Sequence, residues 1–113
     1  MERRYPLLLQ PGRMGSIEVD NRVIMAPMGT LNADENGFVT DRTLKFYQEQ
    51  ARGRMGMIIV ECTYIDDKLS KGEDGCQGLT SNAQITGMAR LASTIHDYGV
   101  KAVLQLCHIG KQL

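Results

Sequence analysis

Three short apolar runs along the chain are each followed by a turn or by polar residues. The runs cover residues 23–26, 55–60 and 100–106. Runs of this length are too short for a core helix and are typical of strands buried on both faces of a parallel sheet. The first strand should end near Pro27, because proline cannot donate to a sheet ladder, whereas the second should continue to about Tyr64. The sequence therefore predicts three core strands with polar residues at their C-terminal ends.

Between these strands, apolar residues recur at the spacing of an α-helix. The first helix is predicted to begin after the N-cap Thr40 and to end at Gly53. Its buried face comprises Leu44, Tyr47, Gln48 and Ala51. The second helix is predicted to begin at Ser81, which forms a capping box with Gln84, and to end near Gly99. Its apolar face comprises Ile85, Met88, Leu91, Ala92 and Ile95.

Two further segments complete the pattern. Ile17 and Val19 alternate with polar residues ahead of a turn at 20–21, which predicts a short N-terminal β-hairpin. Residues 66–80 form a long, glycine-containing loop that is predicted to be flexible. Its glycines lie in mid-loop and not between a strand and a helix, so they do not form a phosphate-binding fingerprint.

The predicted elements follow in the order hairpin, strand, helix, strand, helix, strand. Such alternation implies right-handed crossovers and parallel strands. The strands begin near residues 22, 55 and 100, so successive units measure 33 and 45 residues. Eight units of this size need roughly 300 residues, the size range of a (β/α)8 barrel. We therefore predict an α/β chain that forms, over residues 1–113, the first three βα-type units of a (β/α)8 TIM barrel, preceded by the hairpin.

Composition narrows the classes of partner. The 113 residues, 42% of them hydrophobic, suffice for one globular domain. Thirteen basic and thirteen acidic residues cancel, so nucleic acid and anionic membranes are not expected partners. No apolar stretch approaches the roughly 20 residues that span a bilayer. The first residues lack the apolar segment of a secretory signal, and a cytoplasmic location is expected.

The chain contains three cysteines, Cys62, Cys76 and Cys107. An odd number without Cys-x-x-Cys spacing matches neither a disulfide framework nor a zinc site. Free or buried thiols in a reducing compartment are therefore expected. Cys62 and Cys107 both fall at predicted strand ends, so a role as ligand contacts stays open for them.

Three polar residues lie within or just beyond the C-terminal parts of predicted strands. Gln105 lies within an apolar strand, where an unpaired buried amide costs about 1 to 3 kcal/mol. It either bonds neighbouring backbone or a core water, or it faces a ligand with donor and acceptor edges, such as a planar heterocycle. His108, three residues later, is more typical of a structural histidine. Glu61 is either a general base or the partner of an Arg or Lys on a neighbouring strand, and the structural interpretation is favoured.

A family resemblance is carried by three ordered motifs. They are Asn-Arg-Val-Ile-Met-Ala-Pro-Met at 21–28, Glu-Cys-Thr at 61–63 and Gln-Leu-Cys-His-Ile-Gly at 105–110. From about Tyr5 to Lys111 the chain resembles the N-terminal portion of the Old Yellow Enzyme family of NAD(P)H:flavin oxidoreductases. The segment Ala-Pro-Met-Gly-Thr at 26–30 is most similar to the enoate and 2,4-dienoyl-CoA reductase branch of that family.

The resemblance implies an FMN at the C-terminal face of the strands, with hydride passing from NAD(P)H through the flavin to an activated alkene. It implies that the backbone of Pro27, Met28 and Gly29 lies against the flavin, that Cys62 approaches it through backbone, and that Gln105 bonds its pyrimidine edge. Many relatives carry Thr or Cys at the position of Gly29, so a side-chain contact to the flavin carbonyl is not expected here. An iron–sulfur cluster is expected only where a longer chain follows.

The resemblance also implies what the chain lacks. The substrate-activating and proton-donating residues of the family lie on later strands, so no catalytic residue is assigned here, and phosphate sites of such barrels generally follow strands 7 and 8. Two functional hypotheses follow. The first is an opening segment of an FMN-dependent oxidoreductase, inactive alone. The second is a non-enzymatic module, a small open sheet that binds a partner or associates with itself through its edges.

Overall fold

Strands and helices alternate in the structure, a computed structural model that describes residues 4–110. The strands are β1 (Gly12–Met14), β2 (Ile17–Val19), β3 (Ile24–Met25), β4 (Met57–Tyr64), β5 (Gln77–Gly78) and β6 (Lys101–Cys107). The helices are α1 (Asp41–Arg52) and α2 (Ile85–His96), the second preceded by a 3-10 turn over Asn82–Gln84. The order of elements confirms the predicted alternation.

The strand β4 lies at the centre of the main sheet. It runs parallel to β3 on one edge, where Met25 pairs with Ile58, and parallel to β6 on the other, where Val60 pairs with Leu104. The short β5 pairs with the end of β4 and extends the sheet beyond the end of β3. Parallel pairing of three core strands in chain order is therefore confirmed, and it is the arrangement that opens a (β/α)8 barrel.

The N-terminal hairpin is also confirmed, because β1 and β2 pair antiparallel. Its turn precedes the predicted one and includes Gly15, whose φ is +62°. Asn21, predicted to lie in the hairpin turn, instead connects two strands of the main sheet. Its side-chain oxygen accepts hydrogen bonds from the backbone N–H groups of Val23 (3.0 Å) and Gly56 (2.8 Å), which ties the entry of β3 to the entry of β4.

The helix α1 begins and ends at the predicted caps. Thr40 is extended, with φ −106° and ψ 170°, and its hydroxyl accepts a hydrogen bond from the Thr43 N–H at 3.3 Å. Thr43, Tyr47 and Ala51 follow one another at intervals of four residues and are buried. Gln48, predicted on this face, is exposed, because it lies about 100° around the helix from Tyr47 and the buried stripe is narrow.

Both helices pack against one face of the sheet. The core residues are Met25, Tyr47, Ala51, Ile58, Val60, Leu91, Ile95 and Val100. They include the predicted apolar positions at the centre of each helix. Ile85 is an exception, because it is the first residue of α2 and remains 54% exposed at the end of the helix.

The first predicted core strand is shorter and more exposed than expected. The ladder includes only Ile24–Met25 of the run 23–26. Met25 faces the core, whereas Val23 and Ile24 remain 38% and 37% exposed. Burial on both faces is therefore wrong for this strand, because the two helices cover only one face of the sheet here.

The predicted loop 66–80 contains local structure. The Asp66 carboxylate accepts hydrogen bonds from the backbone N–H groups of Leu69 (2.7 Å) and Lys68 (2.8 Å), and these bonds lower the pKa of that carboxyl. Ser70 Oγ accepts from the Asp66 N–H at 2.8 Å, and β5 lies near the end of the segment. A side-chain-stabilised turn and a short strand thus make up part of this connection.

Candidate functional site

The pairing of β4 with β6 shifts by one residue at the C-terminal end of the sheet. The matched pairs on either side of the shift are Val60 with Leu104 and Thr63 with Leu106. Two residues of β4, Glu61 and Cys62, therefore stand opposite one residue of β6, Gln105. This is a β-bulge, a feature that is common beside active sites. It brings together three residues that the sequence singled out separately.

Glu61 is a buried carboxylate, 3% exposed, with neutral donors around it. It accepts hydrogen bonds from the Thr30 N–H (2.7 Å), the Thr30 hydroxyl (2.8 Å) and the Tyr47 hydroxyl (3.3 Å). Its backbone N–H donates to the Tyr47 oxygen at 2.9 Å. Burial raises the pKa of the Tyr47 hydroxyl, which therefore stays protonated as a donor. No ion pair within residues 4–110 includes Glu61, so the predicted Arg or Lys partner is wrong.

The loop after β3 carries three of the predicted flavin contacts. Pro27 is half-buried, and Met28 and Gly29 are exposed. A Cβ placed on Gly29 would meet no atom within 4 Å, so the backbone here is open to a ligand. Thr30 comes next and is held by the Glu61 carboxylate. Glu61 therefore fixes the far end of this loop against β4.

Gln105 and His108 differ in their surroundings. Gln105 is exposed, and its amide bonds no neighbouring backbone group within residues 4–110. The burial cost considered for it does not arise in this chain, and its donor and acceptor are available to a ligand. His108 is also exposed, but its Nδ1 accepts a hydrogen bond from the Gly110 N–H at 3.0 Å. That local contact agrees with a structural histidine.

The expectation of three free thiols is wrong. Cys62 and Cys107 form a disulfide whose Cα atoms lie 5.7 Å apart, and Cys76 is the free cysteine of the described chain. Spacing along the sequence gave no sign of this pair, because the two residues are 45 positions apart and meet only through the pairing of β4 with β6. The disulfide crosses between these strands at the candidate site.

Tyr64 is a residue of this edge that sequence reasoning did not single out. Its ring is buried against the backbone of Gly37 and Gly78, and a Cβ on either glycine would collide with it. Burial raises the pKa of the Tyr64 hydroxyl. Gly37 also has φ +79°, which favours glycine. The sequence indicated a turn at Asn36-Gly37, but nothing in it linked this turn to the space that holds the Tyr64 ring.

Two classes of feature are missing from the part of the chain that the structure describes. Within residues 4–110 there is no cluster of three or more His, Cys, Asp or Glu side chains that could hold a metal ion. No helix in the same range is long and apolar enough to cross a membrane.

Comparison with known proteins identifies the family of the chain. Residues 7–113 match the NADH:flavin oxidoreductase / NADH oxidase family. The chain belongs to this family. It is 37% identical to the NADH oxidase of Thermoanaerobacter brockii over 109 aligned residues, and these make up 96% of this chain and 17% of that protein. It is 37% identical over 107 residues to the NADH:fumarate oxidoreductase of Klebsiella pneumoniae (strain 342), covering 94% of this chain and 11% of that protein.

The fold of this NADH:flavin oxidoreductase family member agrees with solved relatives. The Old Yellow Enzyme homologue from Zymomonas mobilis superposes with a TM-score of 0.86 at 30% identity, covering 96% of this chain and 30% of that one. The resemblance identified from the three motifs is thereby confirmed, and so is the fold class, the first βα-type units of a (β/α)8 barrel, present here as an open parallel sheet. The chain spans less than a fifth of the length of the two curated relatives.

Family membership implies FMN and a nicotinamide reductant, and the described residues can be tested for fit to the flavin. The open backbone at Gly29 leaves room for a planar ring, and the unpaired Gln105 amide offers both a donor and an acceptor. Both lie at the C-terminal edge of the sheet, separated by β4, with strand spacings of about 5 Å. These residues are compatible with one edge of a flavin ring.

Proposed function

We propose that this chain forms the N-terminal part, residues 1–113, of an FMN-binding barrel that reduces activated alkenes. In it, Pro27, Met28, Gly29, Cys62 and Gln105 contact the flavin ring. The observation that carries the proposal is the bulge, because it sets Glu61 and Cys62 opposite Gln105 at the C-terminal ends of the strands, where parallel barrels bind ligands.

Each residue has a distinct part in this proposal. The Gln105 amide donates and accepts hydrogen bonds at the pyrimidine edge, and the backbone from Pro27 to Gly29 packs against the ring. Cys62 contributes backbone contact from the bulge. Thr30 and Glu61 do not contact the ring but hold the loop in position through their paired hydrogen bonds. When bound, FMN supplies hydride transfer from NAD(P)H to the alkene.

The substrate class follows from the family. The Klebsiella relative is named for fumarate, whose double bond is conjugated to carboxyl groups. We infer that the substrate is an alkene conjugated to a carbonyl or carboxyl group, such as an enone, an enoate or a dienoyl thioester. No side chain within this chain is assigned to activate it or to donate a proton.

The test uses a chimeric barrel, in which residues 1–113 replace the matching N-terminal segment of the Thermoanaerobacter NADH oxidase. We expect the purified chimera to retain FMN and to oxidise NADH. The unmodified Thermoanaerobacter NADH oxidase serves as the control. A chimera that folds cooperatively, with the helical content of the relative, but retains no FMN would contradict the proposal.

A further inference from the structure

The Cys62–Cys107 disulfide links the two strands that carry the candidate site. Its Cα separation of 5.7 Å falls in the usual range for a disulfide. Both cysteines are half-buried, and neither belongs to the buried core. Disulfides that are accessible to solvent thiols are the reducible and regulatory ones, whereas sealed ones are structural.

The position of this disulfide gives its redox state a structural consequence. Beyond the bulge, two residue pairs continue the ladder between the strand ends, Thr63 with Leu106 and Tyr64 with Cys107. A bulge locally disrupts the ladder and leaves its extra residue unpaired. The covalent link therefore reinforces the strand ends where the hydrogen-bonded ladder is weakest. Gln105 lies two residues before Cys107 and is held in the same short segment.

We propose that Cys62 and Cys107 form a reversible dithiol–disulfide couple that controls the order of the strand-end edge. The reductant is a dithiol. One of its thiolates attacks a sulfur of the pair, the S–S bond breaks, and a mixed disulfide forms. The second thiol of the reductant then attacks its own bound sulfur. The reductant leaves as a disulfide, having lost two electrons and two protons, and Cys62 and Cys107 become thiols.

In the oxidised state the edge is fixed, and Gln105 is held opposite Cys62. In the reduced state the last residues of β6 depend on the short ladder alone, and Gln105 becomes less well positioned. This consequence for flavin binding rests on the proposed function. The existence of the couple does not, because it depends only on the two cysteines.

The first experiment counts thiols in the 113-residue chain purified without reductant. Iodoacetamide in denaturant should label one cysteine, Cys76, and three after reduction with dithiothreitol. Cys76→Ser should give no label before reduction and two after it. Cys107→Ser should give two labels without any reductant. Three labels in the unreduced wild-type chain would overturn the proposal.

The second experiment tests reversibility in the folded chain. Dithiothreitol without denaturant should reduce the pair, and removal of the reductant with addition of oxidised dithiothreitol should restore it. A pair that is reduced only in denaturant is a structural disulfide, and that result would also overturn the proposal.

The third experiment measures the consequence for the edge. Hydrogen exchange of the Leu106 and Cys107 amides should be faster in the reduced chain, whereas exchange in the centre of α1 should be unchanged.

In the chimeric barrel, reduction should weaken FMN affinity several-fold, and Cys107→Ser should abolish that response while Cys76→Ser retains it. Equal exchange in both redox states would refute control of the edge. A change in exchange without a change in FMN affinity would count against the proposed flavin site alone.

Discussion

Gln105 is the residue whose substitution most directly tests contact with the flavin. In the chimeric barrel, Gln105→Leu keeps much of the side-chain volume but leaves the donor and acceptor of the ring facing methyl groups. The lost pairing should cost about 1 to 3 kcal/mol, a factor of roughly 5 to 150 in FMN affinity. Reduced flavin carries more negative charge toward that edge, so the midpoint potential should also fall. The measurements are the FMN dissociation constant and the midpoint potential.

His108→Gln is the matched comparison for that variant. His108 is exposed and bonded locally to Gly110, so its loss should leave the midpoint potential nearly unchanged. An unaltered potential in the Gln105 variant would show that its amide does not meet the flavin.

Glu61 gives a prediction about stability that needs no cofactor. Glu61→Gln replaces one accepting oxygen by an NH₂ group, which cannot accept from Thr30 or Tyr47. A buried donor is then left without a partner, and the free energy of unfolding should fall by about 1 to 3 kcal/mol. Urea denaturation at fixed protein concentration measures this.

The control is Glu73→Gln, the same change at an exposed position in the loop 66–80. It should alter the free energy of unfolding by no more than about 0.5 kcal/mol. Equal effects of the two substitutions would mean that the Thr30–Glu61–Tyr47 contacts contribute little.

At the scale of residues, the sequence pointed to several residues of the candidate site but not to the contacts between them. The sequence drew attention to Gln105 because an amide within an apolar strand is unusual, and to Cys62 because it falls at a predicted strand end. Their contacts with the flavin were implied by the family resemblance and stay predictions. Their placement opposite each other was not predicted, because register depends on pairing between distant segments. The disulfide was missed for the same reason. The Arg or Lys partner expected for Glu61 was wrong, because its actual partners, Thr30 and Tyr47, come from a loop and a helix that local patterns do not connect to it.

At the scale of elements, prediction succeeded where local chemistry decides the structure. The helix α1 was located to its caps because a Thr side chain satisfies the first N–H groups and a glycine ends the helix. The strand β3 was overestimated because its length depends on neighbours. A strand pairs only as far as a partner runs beside it, and β4 meets β3 at two residue pairs.

The strand β6 has an edge that pairs with no other strand in residues 4–110, and this predicts self-association of the chain. Leu106 on this strand is 59% exposed, and an apolar groove of about 190 Å³ lies between α2 and the earlier part of β6, at residues 102–104. Light scattering of the isolated chain should therefore show a mass that increases with concentration. Leu106→Lys should shift the population toward monomer, because a charge on an edge strand opposes pairing.

The matched control is Ile85→Lys, which removes a similarly exposed apolar side chain from α2, 54% exposed. It should leave the mass distribution unchanged. A wild-type chain that stays monomeric over the full concentration range, with cooperative unfolding, would contradict self-association through β6.

At the scale of the whole molecule, strand and helix alternation was enough to predict the fold class because that alternation permits few topologies. The exposed face of the sheet could not be predicted in the same way. A run of apolar residues indicates that a strand is suited to burial on both faces, but what covers the second face lies outside the run. Ile24, which points away from the core-facing Met25, is exposed for that reason.

The isolated chain should bind FMN weakly or not at all and should not oxidise NADH. It carries residues for one edge of the ring, whereas the phosphate site of such barrels is built after strands 7 and 8. Each missing charge-assisted contact is worth about 1.5 to 3 kcal/mol, so affinity should fall by orders of magnitude relative to the chimeric barrel. Fluorescence titration with FMN measures this. Purification of the 113-residue chain as a stoichiometric yellow protein would contradict it.

The bulge in β4 makes chain length, more than residue type, the critical property of one short segment. The pairs on either side of the bulge are already in register, so deleting one residue at 61–62 would restore one-to-one pairing with β6 and leave Thr63 opposite Leu106 and Tyr64 opposite Cys107. Tyr64 would keep its place against Gly37 and Gly78, and residues 57–60 would keep theirs in the core. A single-residue gap at this point in a relative would therefore mark a protein that keeps the barrel core and has lost only the extra residue opposite Gln105.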